Sequence, residues 1–367
     1  MHNNTDMSQS MSIDTSLSTS FEELVAEIGD TLKLARNNVA KHVNAGLLTA
    51  YWNIGRLIVT YEQSGKDRAA YGDETLKRLS ERLSSQYGKG FSRTNLYHMR
   101  EFYLTHRIFQ SVTGKLTWTH YCTLLDLSDE QKRNFYENEA ANAGWSVREL
   151  RRQIDSMLFE RILSAKNNAS ETDKLTLAER GIELSKPSDI IKDPYVLEFL
   201  DLPDHAPLES ELERALVAQI EKFMLELGRG FMFVGTQQRI PVGPDHDRVD
   251  MVFYNKPLRA YVLIELKATK LMASAVGQMN EYLNYYATEV NDPDDNPPIG
   301  IILCTDKNNI RAEYALGGLS NAIFASTYTF RLPEAYLLEQ QVRKVLEISE
   351  DEREKTVAHL EDKAHAD

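Results

Sequence analysis

Cysteine is scarce in this chain. There are only two, Cys122 and Cys304, with no CxxC and no Cys/His spacing around either. That excludes a disulfide framework and a thiolate zinc site, and leaves two ordinary buried thiols of a reducing compartment. Long apolar runs are missing too: none reaches the ~18 to 20 residues that a membrane span needs. The first twenty residues are rich in Ser, Thr, Asn and Met. They lack the basic start and apolar core of a signal peptide and read as a disordered leader, 1–20. These absences describe a cytoplasmic protein with no membrane partner. Net positive charge is lacking as well, with 42 Lys and Arg against 55 Asp and Glu, or −13. Such a balance does not suit a non-specific nucleic-acid coat, although local distribution decides binding. No internal repeat or long low-complexity tract is present.

What is present suffices for two domains with cores of their own, in 367 residues of which 42% are hydrophobic. Residues 21–164 carry apolar residues at three- and four-residue spacing, an all-α pattern. Within it, 77–115 holds eight basic residues and two acidic ones. Ser92 is placed to N-cap a helix that begins at Thr94. The preceding helix, 75–87, and the loop GKGFS would complete a helix-turn-helix-like pair. The polar stretch 165–186 reads as a linker. Residues 187–346 change to a mixed α/β pattern: a helix over 207–227, a strand from 231, hairpin strands over 248–254 and 260–266, a helix over 275–287, a strand over 299–304, a short helix over 308–316 and a short strand over 328–330. The end, 347–367, is an acidic tail, eight acidic residues against three basic.

The chemistry concentrates in the hairpin, RVDMVFYNKPLRAYVLIELKATK. Glu265 and Lys267, two residues apart on a strand, share a face. A hairpin symmetric about Pro257-Leu258 sets Asp250 opposite Glu265. Two carboxylates and an ammonium in an apolar sheet are costly unless they pair or hold a cation. Asp250, Glu265 and the Leu266 backbone carbonyl suit Mg²⁺, for which Mn²⁺ can substitute. Lys267 can then orient a water or steady a pentavalent phosphate. Upstream, Glu213 borders the apolar stripe of Leu212, Leu216, Ile220 and Phe223, with Glu209, Glu211 and Glu221 as alternatives. Downstream, Gln278 and Tyr282 share one helix face. A metal-free ion pair between Asp250 and Lys267 is the plainer alternative, and it leaves Glu265 unpaired. His246 reads as a loop histidine within reach of substrate or metal, and one of Gln237 and Gln238 faces the site.

In this order, Glu213, Asp250, Glu265-x-Lys267 and Gln278-x-x-x-Tyr282 resemble the PD-(D/E)xK nuclease superfamily. The wording FVGTQQRIP, RVDMVFY, LIELKA and GQMNEYL resembles the bacterial YhcG-like family more specifically. LLTAYWNIGRLIV, LKRLSERLSSQYGKGFSRTNLYHMREFY and WSVRELRRQI are similar to its helical N-terminal domain. The resemblance runs over 24–344. It implies a restriction-endonuclease-like α/β domain with a central mixed sheet, and a Mg²⁺-dependent deoxyribonuclease of repair, recombination or defence against mobile DNA. It also implies Asp250 and Glu265 as metal ligands, Lys267 as catalytic, Glu213 as an accessory acid, and Gln278 and Tyr282 as positioning groups. Val249 stands where the superfamily name has proline.

The helical domain would then bind DNA, with Arg78, Lys89, Arg93, Asn95 and Arg100 as contacts. A solvated basic face is the alternative. Tyr97, Phe102, Tyr103, Trp52 and Trp145 read as core. A non-cleaving nucleic-acid-binding or assembly protein on a nuclease-like fold stays open, as does a homo-oligomer.

Overall fold

The computed structural model describes residues 21–64, 70–108, 114–166, 169–202, 207–241, 247–306, 320–334, 337–340 and 342–343, with 21–28, 30–41, 64 and 70–73 as backbone alone. The expected leader, the helix over 308–316, His246 and the acidic tail lie outside them. The chain forms two compact units that divide between Trp118 and Thr119.

The first unit is helical: α1 (Phe21–Ser64), α2 (Ala70–Tyr87) and α3 (Arg93–Thr105). Ile58, Leu76, Leu96 and Met99 form its core, with Tyr51, Ile54 and Trp118 packed against it. Ser92 caps α3 by accepting from the Asn95 N–H at 3.2 Å. The turn before it uses Gly88 and Gly90 at φ 82° and 119°, where a side chain would be strained. Phe102 is fully buried, and Tyr103 packs edge-on against Trp52 with ring centroids 5.0 Å apart. Tyr97, expected in the core, is instead 47% exposed, because Leu96 and Met99 already fill the inward face of α3. Helix α1 approaches α3 closely at Gly55, where a Cβ would land on the Met99 carbonyl oxygen. Gly55→Ala is therefore expected to force α1 and α3 apart and cost about 1–3 kcal/mol by overpacking, read as a lower denaturation midpoint at unchanged slope.

The second unit joins further helices to a sheet. Helix α4 (Trp118–Leu125) leads into it, followed by α5 (Glu130–Ala143), α6 (Val147–Asp155), α7 (Leu158–Ser164) and α8 (Glu171–Arg180). Helix α8 lies in the stretch expected to be a linker. Its start is fixed by a capping box between Ser170 and Asp173, and Asn138 of α5 donates to its Glu179 carbonyl at 2.9 Å. It looks polar in sequence because only Leu177 and Ala178 are buried.

The helix expected over 207–227 is two: α9 (Glu209–Ala218) and α10 (Ile220–Leu227), broken at Gln219. Leu212 and Leu216 of α9 and Phe223 and Leu227 of α10 enter the same core, while Glu226 of α10 is fully buried. Glu226 is ion-paired to Arg161 of α7 and, at 3.1 Å, to Arg152 of α6. It also accepts from the Val196 N–H at 3.0 Å. Its charge is thereby met on every side. Arg161, Lys192 and Arg152 overcome the penalty of burial and hold its carboxyl down at about 2.

The sheet has six strands: β1 (Tyr195–Val196), β2 (Phe231–Ile240), β3 (Asp247–Asn255), β4 (Ala260–Leu266), β5 (Ile299–Cys304) and β6 (Ala322–Thr329), in the order β1-β6-β5-β4-β3-β2. β2, β3 and β4 form an antiparallel meander, and β4, β5, β6 and β1 are parallel. β5, IGIILC, is buried throughout, as a central parallel strand covered on both faces must be. β6 begins earlier than the short strand expected at 328–330, because it pairs with β5 from Ala322 to Thr327 before Tyr328 and Thr329 meet β1. Between β4 and β5 the chain crosses over through α11 (Ala273–Tyr285). Helix α9 packs on one face of the sheet and α11 on the other, each with its own core. Among the described residues, no helix is long and apolar enough to cross a membrane. Cys304 is buried, and Cys122 is half-buried with its thiol pushed up to about 11, chiefly by burial; neither is in a disulfide.

Candidate active site

The site lies where β3 begins and β4 ends, and helices from both faces of the sheet contribute side chains to it. Met251 pairs with Ile264 in the hairpin, so one step further Asp250 stands opposite Glu265. The Asp250 carboxylate is held on both oxygens. Oδ2 accepts from the Leu266 N–H at 2.8 Å, and Oδ1 accepts from the Gln237 side-chain amide at 3.2 Å. Glu265 is 4% exposed. Its Oε1 accepts from Lys267 Nζ at 2.8 Å, and its Oε2 is buried without a hydrogen-bond partner among the described residues.

Electrostatics follow from this crowding. Burial, and then the neighbouring charge of Asp250, push the Glu265 carboxyl up to about 7. Asp250 is also raised, by burial first and by Glu213, against the hydrogen bond from Leu266 and the charge of Lys267. Burial alone would lower Lys267, but its bond to Glu265 and the charges of Glu265, Glu209 and Asp250 keep it above the ordinary lysine value. The fold thus sets two carboxylates opposite each other and supplies one ammonium, which pairs with Glu265, a deficit of positive charge.

Helix α9 contributes acids. Glu213 is half-buried, and its charge reaches Asp250. Glu209, one turn earlier on the same face, lies closer to the lysine: its Oε2 is 3.8 Å from Lys267 Nζ, and its Oε1 accepts from the Ala268 N–H at 3.2 Å. Periodicity allows either glutamate to face the sheet; these two interactions add Glu209 to the site beside Glu213. From α11, the Gln278 amide donates to Tyr282 Oη at 2.5 Å, and that hydroxyl donates to the Arg248 carbonyl at 3.3 Å. Burial and the charge of Glu265 push the Tyr282 hydroxyl upward, so it stays protonated. Of the two strand glutamines, Gln237 faces the site, whereas Gln238 turns its amide to the Thr236 carbonyl at 3.3 Å.

A divalent cation fits this donor set. Two adjacent carboxylates and an orphaned buried oxygen at Glu265 are what such an ion would neutralise, and Mg²⁺ needs only one or two carboxylates beside its waters. Among the described residues no cluster of three or more His, Cys, Asp or Glu side chains forms, so the centre is a carboxylate pair.

In the helical unit the residues expected to meet DNA divide. Asn95 is spent on structure: its amide donates to the Gly90 carbonyl at 2.5 Å, and its Oδ1 accepts from Trp118 Nε1 at 2.8 Å. Arg100 is paired with Glu62 at 2.8 Å and with Glu101 at 2.5 Å. Both fill positions expected to meet DNA, and both are drawn inward by partners remote or adjacent in sequence. Lys89, Arg93 and Arg78 are exposed. Arg78 rims an apolar groove of about 510 Å³ whose floor includes Ile54, Ile58 and Leu79.

Residues 188–345 match the YhcG PDDEXK nuclease domain, and residues 27–161 match the DUF1016 N-terminal domain. A protein of Escherichia coli (strain K12) named "Putative nuclease YhcG" is 38% identical over 349 residues, which is 86% of this chain and 92% of that protein. A solved structure, the crystal structure of a repair endonuclease from Pyrococcus abyssi, is 18% identical over 36% of this chain and 50% of its own, at a TM-score of 0.24, too partial a likeness to bear on assignment. A helical N-terminal region, a mixed-sheet domain carrying the Asp250 and Glu265-x-Lys267 constellation, and a full-length relative together make this chain a member of the YhcG family of PDDEXK nucleases.

Proposed function

We propose that the protein is a Mg²⁺-dependent deoxyribonuclease, with its centre at Asp250, Glu265 and Lys267 and a helical region that binds DNA. The observation that carries this reading is the uncompensated pair of carboxylates, one with a buried oxygen lacking a partner among the described residues, beside a lysine. Asp250, Glu265 and the Leu266 carbonyl would hold the cation. When bound, such an ion polarises the phosphate and lowers the pKa of a coordinated water. Lys267, kept protonated between Glu265 and Glu209, serves as a charge and a donor toward the phosphate and not as a base. Glu213 adds an acid to the outer part of the centre. Gln278 and the protonated Tyr282 form a hydrogen-bonded pair that positions substrate. The test is cleavage of single-stranded, duplex and branched DNA, and of RNA, with Mg²⁺ or Mn²⁺; absence of any metal-dependent cleavage rejects the reading.

Lys89 and Arg93, exposed around the turn before α3, are the phosphate-binding residues we propose, with Arg78 farther along α2. Truncating any one of these three side chains should weaken binding on all sequences alike and flatten the dependence of log K on log salt by about 1. Lys89→Ala is expected to do so in a fluorescence anisotropy titration over a salt series. Asn95→Ala, by contrast, should lower the melting temperature through loss of its bonds to Gly90 and Trp118. An Asn95 variant that melts normally but loses sequence preference would restore this residue to base reading.

A further inference from the structure

We infer that Gln237 is a positioning residue, held in a strained backbone conformation so that its amide fixes the Asp250 carboxylate for metal binding; this rests on the nuclease reading above. Four non-glycine residues among those described have positive φ: Met157, Asp201, Gln237 and Arg259. Met157 and Asp201 cap helices, and Arg259 sits in the turn between β3 and β4. In those three places the chain changes direction or element. Gln237, at φ 49°, lies inside a strand, where the extended conformation is the low-energy one. Nothing about a strand interior calls for that geometry. Strain of this kind persists only where its surroundings enforce it, and it collects at functional sites.

The surroundings are specific. β2 slips register against β3 between Phe233 and Gly235, and the ladder resumes with Gly235 opposite Val252, continuing with Thr236 opposite Met251 and Gln238 opposite Val249. Gln237 thus falls opposite Asp250, and its amide donates to Oδ1 at 3.2 Å. Next to it, Gln238 folds back over Gly235, where any Cβ would strike the Gln238 amide. The bulge, the glycine and the left-handed residue form one local device. With Leu266 N–H on Oδ2, both Asp250 oxygens accept one hydrogen bond each and keep their remaining lone pairs on a fixed side. A ligand carboxylate that cannot rotate loses less freedom when a cation binds, which is how hydrogen-bonded neighbours of metal ligands raise affinity.

Gln237→Gly separates this role from a merely structural one, because glycine tolerates the backbone conformation and removes only the amide. In metal-free buffer the variant is expected to melt no lower than the wild type. In calorimetric titration with Mg²⁺ or Mn²⁺, its affinity should fall about 10- to 100-fold, the usual effect of losing such a neighbour. At saturating metal most of the cleavage rate should return. Gln237→Asn, which suits the left-handed conformation but is one methylene shorter, should behave like the glycine variant in affinity. Wild type that binds metal alongside a Gln237→Gly variant of equal affinity overturns the role of Gln237 alone. A wild type indistinguishable from Asp250→Ala in the same titration overturns the metal reading and this one with it. A glycine variant that melts well below wild type without metal also overturns it, since the residue would then be a structural tie.

Discussion

Glu265→Gln is expected to abolish metal-dependent cleavage and, in the same protein, to raise the melting temperature of the metal-free form at pH 8. The first effect follows, on the proposed metal reading, from removing one of the two carboxylates assigned to the cation. A bound cation supplies several kcal/mol of charge stabilisation, so the rate should fall on the order of 10³-fold or more. Asp250→Ala and Lys267→Ala should each fall as far while remaining folded. The second effect follows from the cost of the charge. The Glu265 carboxyl is pushed up to about 7 by burial and by Asp250, against an ordinary value near 4.5. Holding it ionised costs the metal-free fold on the order of 3 kcal/mol well above pH 7.

The sign is that of a raised acid. The metal-free fold is relatively most stable below the ordinary value and loses that advantage as pH rises through about 7. Wild type and Glu265→Gln should therefore melt alike below pH 4.5, diverge as pH rises from there to about 7, and stay apart by the full difference above it. Mg²⁺, on the proposed metal reading, acts in the other direction: it would bind the ionised pair, so its affinity and its stabilisation of the wild type should grow as pH rises toward 7 and beyond. A glutamine variant that melts lower than wild type at pH 8, or that still cleaves, would contradict the account.

Arg161→Met carries the other large effect. Arg161 and Glu226 are both fully buried and ion-paired, and Arg161 also donates to the Ser156 carbonyl at 2.7 Å. Removing the guanidinium leaves a buried carboxylate short of its principal partner, which costs about 3–5 kcal/mol. Against a typical total of roughly 5–15 kcal/mol, that is a large fraction of the stability of the second unit. Arg151→Met, at an exposed neighbouring position, should stay within about 0.5 kcal/mol. Chemical denaturation of both variants checks the contrast; equal midpoints would mean that Arg152 and Lys192 suffice for Glu226. The pH sense is opposite to that of Glu265. Glu226 is held at about 2, so its contribution is present above the ordinary carboxylate range and disappears as pH falls toward 2.

The hairpin was readable because strand alternation and a short turn constrain it. Once Pro257-Leu258 is taken as the turn, Asp250 must face Glu265, and Lys267 must share the face of Glu265. The Gln278 and Tyr282 pair was readable for a similar reason, four residues being one helical turn. Glu209 and Glu213 are themselves one turn apart, so no periodicity could rank them; only the approach to Lys267 and Ala268 does. The inward turn of Asn95 was hidden because its partner Trp118 is 23 residues away. The break at Gln219 was hidden because the apolar stripe runs on across it. Arg152 and Arg161 lie in WSVRELRRQIDSMLFER, which reads as an amphipathic helix with a solvated basic side. Nothing local reveals that a glutamate 65 residues later than Arg161 draws them inside. The strain at Gln237 was equally hidden, since dihedral angles off the strand norm leave no compositional trace when the residue is not glycine.

That 65-residue separation has a consequence for how the protein is made. The domain grows from its N-terminal end: Arg152 of α6 leaves the ribosome with Glu149 of its own helix beside it, whereas Arg161 of α7 emerges long before Glu226. Until α10 emerges Arg161 lacks its buried acid, so the final packing of α7 must wait for the nascent chain to pass Glu226. Translation of the second unit therefore contains a built-in delay: α7 is synthesised early and settles only once α10 has followed it.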